Sequence, residues 1–148
     1  MKHFLSLIIL CSLLTVGCNN TEKSPADVAS VMKDSSQYTT LHWADSAIDF
    51  GTRKMGEIVN ITFTCTNTGN KPLYLSEVRP SCGCTLVDYS KAPIAPGQQG
   101  KIEAQFDTKK SHPGEVHKSV FVHTNTKSTL RYLTFSGTIA DSTSNATK

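Results

Sequence analysis

The chain has 148 residues, with 15 Lys and Arg against 12 Asp and Glu, so its formal net charge at pH 7 is +3. This weak positive balance includes no basic cluster with interleaved aromatic residues, which argues against nucleic-acid binding. About 100 residues between 41 and 140 suffice for one small domain and leave no room for a second.

The first 17 residues have the pattern of a secretory signal, with a basic start at Lys2, an apolar run over 4–16 and a small-residue exit. The run is shorter than the ~20 apolar residues that span a bilayer. The exit, Thr15-Val16-Gly17-Cys18, resembles the bacterial lipobox, in which a peptidase cuts before a cysteine that carries lipid, although Thr15 stands where leucine is usual. An ordinary signal peptide is the alternative. We predict a lipoprotein signal peptide over 1–17 and lipidation at Cys18.

Lipidation would place the chain in the cell envelope with a membrane anchor. Several acyl chains anchor strongly because each buried methylene adds about 0.8 kcal/mol. Asn19 rather than Asp follows the cysteine, which favours the outer membrane under a sorting rule of Gram-negative lipoproteins. No acidic run typical of surface export follows. We therefore expect an outer-membrane lipoprotein that faces the periplasm.

Polar segments flank the central part of the chain. Residues 18–40 are rich in Ser, Thr and Asn and predict a polar tether. Val28, Val31 and Met32 allow one helical turn there and no more. Residues 141–148 predict a disordered tail.

Between these segments, apolar residues alternate with a period of two, the pattern of half-buried strands. In 57–67 the odd-numbered residues share one face, which makes Cys65 a small buried residue. Residues 115–124 are apolar on both faces near their centre, as in a central strand. Turns rich in Gly, Pro and Asn separate the runs. We predict an all-β, immunoglobulin-like antiparallel β-sandwich over 41–140 with about seven strands: 46–51, 57–67, 72–79, 84–88, 101–107, 115–124 and 129–139.

Two cysteines flank one glycine in Arg79-Pro80-Ser81-Cys82-Gly83-Cys84. In an extended strand, residues i and i+2 point to the same face, and their alpha carbons lie near the ~6.8 Å limit for a disulfide. Gly83 can bend the chain because glycine takes backbone angles that other residues avoid. Pro80 disfavours helix before it. We predict a corner between two strands at one end of the sandwich, supported by Arg79, Pro80 and Gly83.

Four interpretations of Cys82 and Cys84 remain open. In an oxidising compartment they form a structural disulfide with each other, or one of them pairs with Cys65. A strained bridge would serve thiol exchange, although no Cys-x-x-Cys at a helix start is present. Two thiolates also suit a soft ion such as copper(I), with His117 and His123, which share one strand face, as further ligands. The fourth is an architectural corner without chemistry of its own.

Four pieces of the chain resemble the bacterial family called domain of unknown function 1573: DFGT, FTCTNTGNKPLYLSEVRPSCGCT, PIAPGQQGKIEAQFDT and PGEVHKSVFVHTN. The resemblance covers roughly residues 45–139. It implies a lipoprotein or secreted protein of the kind found largely in Bacteroidetes and Planctomycetes. It also implies a sandwich related to those of major sperm protein and PapD-like chaperones. It implies no settled activity.

No enzymatic signature accompanies these features: there is no Gly-rich phosphate loop and no HExxH, and the carboxylates are scattered. We predict no catalytic residue and no required cofactor. We expect a binding or accessory domain that takes a protein partner in the envelope, with thiol-redox or copper chemistry at Cys82 and Cys84 as the alternative. The expected binding surface joins residues 80–86 to the turns at Pro96-Gly97 and Pro113-Gly114. The sequence indicates no oligomeric state.

Overall fold

Eight strands form two four-stranded sheets in the computed structural model, which describes residues 25–141. One sheet has the order β1-β3-β6-β5 and the other the order β2-β8-β7-β4. The strands are β1 (Leu41–Trp43), β2 (Ala47–Lys54), β3 (Ile58–Asn67), β4 (Leu75–Pro80), β5 (Thr85–Tyr89), β6 (Gln99–Asp107), β7 (Gly114–Thr124) and β8 (Leu130–Ala140). The helix α1 (Pro25–Lys33) and short 3-10 helices at Ser35–Gln37 and Thr108–Lys110 complete the elements.

The predicted all-β sandwich is confirmed, with two differences. The count is eight strands rather than about seven, because β1 has only three residues and so shows no alternation in the sequence; it pairs with the end of β3, Trp43 opposite Cys65. The sandwich is also not wholly antiparallel. Strand β2 runs parallel to β8, with Ile48 opposite Phe135.

The core lies between the sheets and is built from the alternating inward residues of both. Phe50, Phe106 and Phe135 form a tilted aromatic trio with ring centroids 5.7–6.3 Å apart. Each buried aromatic or aliphatic side chain of this size stabilises the fold by roughly 1.5–3 kcal/mol. Phe63 and Cys65 are fully buried, so the inward face predicted for 57–67 is confirmed.

The prediction of no more than one helical turn within the 18–40 tether is wrong. Residues 25–33 form a nine-residue helix rather than one turn, and Val31 on that helix is 7% exposed. Helix α1 lies beside β4. Further along, the Thr39 N–H donates to the Asn125 carbonyl over 3.0 Å. Val28 and Met32 on the same helix are half-buried, so the three apolar residues hold α1 on a surface that the sandwich already offers.

Several predictions fall on residues outside the described range. These are the signal peptide over 1–17, lipidation at Cys18, the tether before residue 25 and the tail after residue 141. Within residues 25–141, no helix has the length and apolarity needed to cross a bilayer.

Candidate functional site

The Cys82–Cys84 corner is the point where the chain leaves one sheet and enters the other. Strand β4, before it, lies at an edge of the β2-β8-β7-β4 sheet, and β5, after it, lies at an edge of the β1-β3-β6-β5 sheet. The two cysteines form a disulfide, with alpha carbons 5.2 Å apart. This separation is within the range that disulfides ordinarily span. Of the four interpretations, the structure contains the bridge between the two neighbours.

Backbone hydrogen bonds fasten this corner to both sheets. The Ser81 N–H donates to the Ser119 carbonyl over 2.8 Å, and the Ser119 N–H donates to Ser81 Oγ over 3.0 Å. On the other side, the Asp107 N–H donates to the Cys84 carbonyl over 2.9 Å. The disulfide therefore joins two points that are already held, one on each sheet.

The three residues expected to support the corner have unequal roles. Pro80 is the last residue of β4, opposite Val120, one residue beyond the predicted strand end. Arg79 pairs with Glu77 over 3.0 Å on an exposed face, and such surface pairs contribute little stability. Gly83 lies in the bend as predicted, but the predicted need for glycine's special backbone angles is wrong: its φ is not in the left-handed region, and a Cβ there would meet nothing within 4 Å. The bend is a turn over residues 82–85, in which the Thr85 N–H donates to the Cys82 carbonyl over 3.4 Å.

The two sulfurs face the core, whereas the candidate histidine ligands face away from it. Cys84 is buried and Cys82 is half-buried, and both pack against the core cluster. On the outer face of β7, His117 Nε2 lies 3.1 Å from Glu115 Oε1 and His123 Nε2 lies 3.8 Å from a carboxylate oxygen of Glu77. The structure therefore does not bring the histidines to the sulfurs. In the described part of the chain, no group of three or more His, Cys, Asp or Glu side chains is placed to hold a metal.

Cys65 is a free, fully buried thiol near the other end of the sandwich. It lies opposite Gly100 at the start of β6, whereas Cys84 bonds to Asp107 at the end of that strand. The suggested bridge from Cys65 to the corner is therefore not formed. Burial raises the pKa of the Cys65 thiol above its ordinary value, because the thiolate would be deprived of water.

The surface predicted from three loops is wrong, because the loops lie at opposite ends. One end of the sandwich contains the 82–84 corner and the last residues of β6. We call it the disulfide end. The Pro113-Gly114 turn, at the start of β7, is at this end. The Pro96-Gly97 turn lies at the other end, where the Gly97 N–H donates to the Asn67 carbonyl over 2.8 Å. We call that the Asn67 end.

Two buried asparagines at the Asn67 end were missed in the sequence analysis. Asn67 and Asn125 are both fully buried. The Asn67 amide Nδ2 donates to the carbonyls of Lys71 and Ile94, each over 2.8 Å, and its Oδ1 accepts from the Gly69 N–H over 3.1 Å. The sequence feature that could have identified them is a repeated Thr-Asn-Thr, at 66–68 and 124–126, which in both cases begins within the last two residues of a strand. Polar residues at such positions are satisfied by backbone groups when they are buried.

A family model described as "Protein of unknown function (DUF1573)" matches residues 41–139, which include both sheets and the disulfide corner. The chain belongs to the DUF1573 family. No curated protein matches the sequence. The resemblance stated from the sequence is thereby confirmed, and membership assigns no activity.

Solved structures similar to this DUF1573 chain share its fold. A protein of unknown function from Porphyromonas gingivalis W83 has a TM-score of 0.62 at 17% identity, over 71% of this chain and 49% of that one. The chain thus spans about half the length of that protein. The ASH/PapD-like domain 7 of human CEP192 has a TM-score of 0.55 at 13% identity, over 72% and 89%. The VesB protease of Vibrio cholerae has a TM-score of 0.53 at 19% identity, over 76% and 34%.

These likenesses establish a fold and nothing further, because all are below 25% identity. The fold is an immunoglobulin-like sandwich of the PapD-like kind, as the sequence predicted. The protease match covers only a third of the protease chain.

Proposed function

We propose that this DUF1573 chain is an exported, lipid-anchored binding domain of the cell envelope, without enzymatic activity, that receives an extended segment of a partner protein along β5. The observation that most directly supports this proposal is the open edge of β5. The basic start, apolar run and Cys18 of the sequence support export and anchoring. The Cys82–Cys84 disulfide supports an oxidising compartment such as the periplasm.

Strand β5 has an unpaired backbone position, Val87, on its open side, where the N–H groups of Thr85 and Tyr89 donate within the fold. The Asp107 N–H donates to Cys84 and the Ser90 N–H donates to Lys101, which sets the alternation of the β5–β6 ladder. In an antiparallel ladder with this register, the N–H and C=O of Val87 point away from β6. They have no hydrogen-bond partner among the described residues. An extended segment that added a strand here would satisfy them.

The other three edges are less suited to strand addition. Strand β1 has three residues. Strand β2 is interrupted by a bulge between Asp49 and Thr52. Strand β4 ends at Pro80, has a register shift after Leu75 and lies beside α1. Bulges, prolines and covering elements are how natural sheets block an edge. Strand β5 keeps a continuous register from Thr85 to Tyr89.

Strand β5 also has an exposed apolar side chain, Leu86. Leu86 is 69% exposed on the outer face of β5, directly after the disulfide corner. In strand addition, backbone hydrogen bonds supply affinity and alternate side chains supply specificity. Leu86 is the apolar contact that a partner strand would meet first. The hydrogen bond from the Asp107 N–H to the Cys84 carbonyl holds the start of β5, so the edge needs little ordering on binding.

The proposal is tested by site-specific photo-crosslinking in cells. A photoreactive residue at position 86 is expected to give a discrete adduct whose partner peptide is extended and alternating. Val87→Pro should abolish the adduct, because it removes a donor that the fold itself does not use. Leu86→Lys should weaken partner capture, and Leu130→Lys, the same change at another exposed leucine, should not. An adduct that survives Val87→Pro, or equal adducts from positions 86 and 130, would refute strand addition at β5.

Anchoring is tested separately. Cys18→Ser should move the chain from the membrane fraction to the soluble periplasm, and the mature protein should lose its acyl mass. A chain that stays in the membrane with Ser at position 18 would contradict the lipid anchor. This result is independent of the β5 experiment.

Thiol exchange at Cys82 and Cys84 is a second candidate, favoured by the partial exposure of Cys82 at the surface. An attacking thiolate would form a mixed disulfide with one sulfur and release the other as a thiol. A soft ion such as copper(I) would need both thiolates, so it would bind only after reduction. Cys82→Ser with Cys84→Ser abolishes either chemistry and leaves partner capture at β5 intact.

A further inference from the structure

A groove of about 1060 Å³ opens at the Asn67 end, away from β5 and the disulfide. Its walls are β1 with the residues before it, the turn after β3 and the hairpin between β7 and β8. The side chains that matter here are Tyr38, Trp43, Asn70, Lys127 and Arg131. The volume is at the upper end of what small-molecule sites enclose, so it accommodates a ligand of several rings.

The groove is positively charged. Lys127 and Arg131 are exposed in its wall, and neither forms an ion pair within the described part of the chain. No Asp or Glu is among the lining residues. A concave surface lined by one sign of charge concentrates ligands of the opposite sign. The groove is therefore complementary to an anion.

Backbone groups in the segment before β1 and in the turn after β3 are already used. The Thr39 N–H donates to Asn125, and the N–H groups of Thr68 and Gly69 both donate to the Thr40 carbonyl. A peptide that bound by strand addition would need such groups free. Side-chain polar groups also line the groove, among them the Tyr38 hydroxyl and the Asn70 amide. Such groups suit a ligand that is rich in hydroxyls.

Two aromatic side chains complete the lining. Tyr38 and Trp43 are half-buried and both line the groove, and Trp43 also packs against the core. Rings of this kind combine an apolar body with a polar tip and suit ligands that have both kinds of surface. A pyranose ring has an apolar C–H face and a rim of hydroxyl groups. The lining therefore matches sugar rings that carry acidic groups.

The walls are held in place before any ligand binds. The Asn125 amide Nδ2 donates to the Gln37 carbonyl over 2.8 Å, directly before Tyr38. Thr39 Oγ1 donates to Asn67 Oδ1 over 2.9 Å. The two buried asparagines thus fix the segment that carries Tyr38. A site whose lining is already ordered loses less entropy when it binds.

We propose that this groove binds an anionic oligosaccharide, with Lys127 and Arg131 pairing with its acidic groups and Tyr38 and Trp43 contacting its ring faces. This site is separate from β5 and does not depend on the strand-addition proposal. Arg131 offers a planar donor pair to a carboxylate, whereas Lys127 acts as a point charge.

Calorimetric titration of the full chain, purified in detergent, tests the site. The probes are a tetrasaccharide of galacturonic acid, neutral maltotetraose and a tetrapeptide of glutamate. The acidic sugar should bind at least tenfold more tightly than either other probe, and its affinity should fall with added salt. Lys127→Ala with Arg131→Ala should weaken it at least tenfold. Lys109→Ala with Lys110→Ala, a matched loss of two exposed cations at the disulfide end, should leave it unchanged.

Urea denaturation checks that both double variants are folded. The proposal is overturned if the acidic tetrasaccharide shows no binding at millimolar concentration, or if maltotetraose binds equally well. It is also overturned if the glutamate peptide binds as tightly as the sugar, since the groove would then be a peptide site. Unchanged affinity in the Lys127→Ala, Arg131→Ala variant would likewise refute it.

Discussion

Asn67 and Asn125 hold the same short segment from opposite sheets. Asn67 is the last residue of β3 and donates to the Lys71 carbonyl over 2.8 Å. Asn125 follows β7 in the other sheet, donates to the Pro72 carbonyl over 3.0 Å and accepts from the Tyr74 N–H over 2.8 Å. The chain between β3 and β4 is therefore fastened at neighbouring residues by two fully buried amides. Side-chain amides act here as the hydrogen-bond link between the two sheets.

Asn67→Ala is expected to lower the free energy of unfolding by about 3 kcal/mol. The change leaves the Lys71 carbonyl without its donor and the buried Thr39 hydroxyl without its acceptor, and each unsatisfied buried group costs about 1–3 kcal/mol. Urea denaturation followed by circular dichroism measures the loss. Asn70→Ala, three residues along in an exposed turn, should change stability by less than about 0.5 kcal/mol. Equal effects of the two substitutions would contradict the role given to Asn67.

Cys82→Ser with Cys84→Ser should lower the free energy of unfolding by about 1.5 kcal/mol without unfolding the sandwich. The closed loop is very short, so the bridge removes little entropy from the unfolded chain. Hydrogen bonds to Ser119 and Asp107 still hold the corner in the variant. The wild-type chain in reductant should match the double variant, and reductant should not affect the variant. A loss above about 4 kcal/mol would show that the corner depends on the bridge.

Substitution by alanine should lower the free energy of unfolding very differently at two glycines. Gly83→Ala should change stability by less than about 1 kcal/mol, because the new methyl group meets nothing within 4 Å. Gly137→Ala should cost about 1–3 kcal/mol or more, because its methyl group would collide with the Phe50 ring and the Gly51 carbonyl oxygen. Midpoints of urea denaturation compare the two. If Gly83→Ala were the more damaging, the backbone description of the corner would be wrong.

Much of the sandwich could be predicted because its core strands are half-buried and alternate strictly. The run from Val59 to Cys65 shows this: one face is buried in the structure, and the predicted inward residues are the buried ones. The corner could also be located, since Pro80 and two cysteines mark the end of one strand and the start of the next. The state of the sulfurs could not, because spacing alone fits a bridge, free thiols or a metal.

The features that were missed depend on contacts between distant parts of the chain. Helix α1 has too few apolar residues to form alone, and it is held where Val31 is buried beside β4. The pairing of β2 with β8 joins residues almost 90 positions apart, which alternation does not reveal. The separation of the Pro96-Gly97 turn from the corner follows from the register of β3 with β6, Thr66 opposite Gln99 and Ile58 opposite Asp107.

Cys65 should make stability fall at alkaline pH. Burial raises the pKa of this thiol above its ordinary value of 9.0, so the folded chain keeps a proton that the unfolded chain releases. The unfolded state then binds fewer protons above pH 9, and the free energy of unfolding falls as pH rises, by up to about 1.4 kcal/mol per unit. Below pH 9 the thiol adds no pH dependence. Urea denaturation from pH 7 to 10.5 should show a steeper decline for wild type than for Cys65→Ala, and parallel curves would contradict the burial of this thiol.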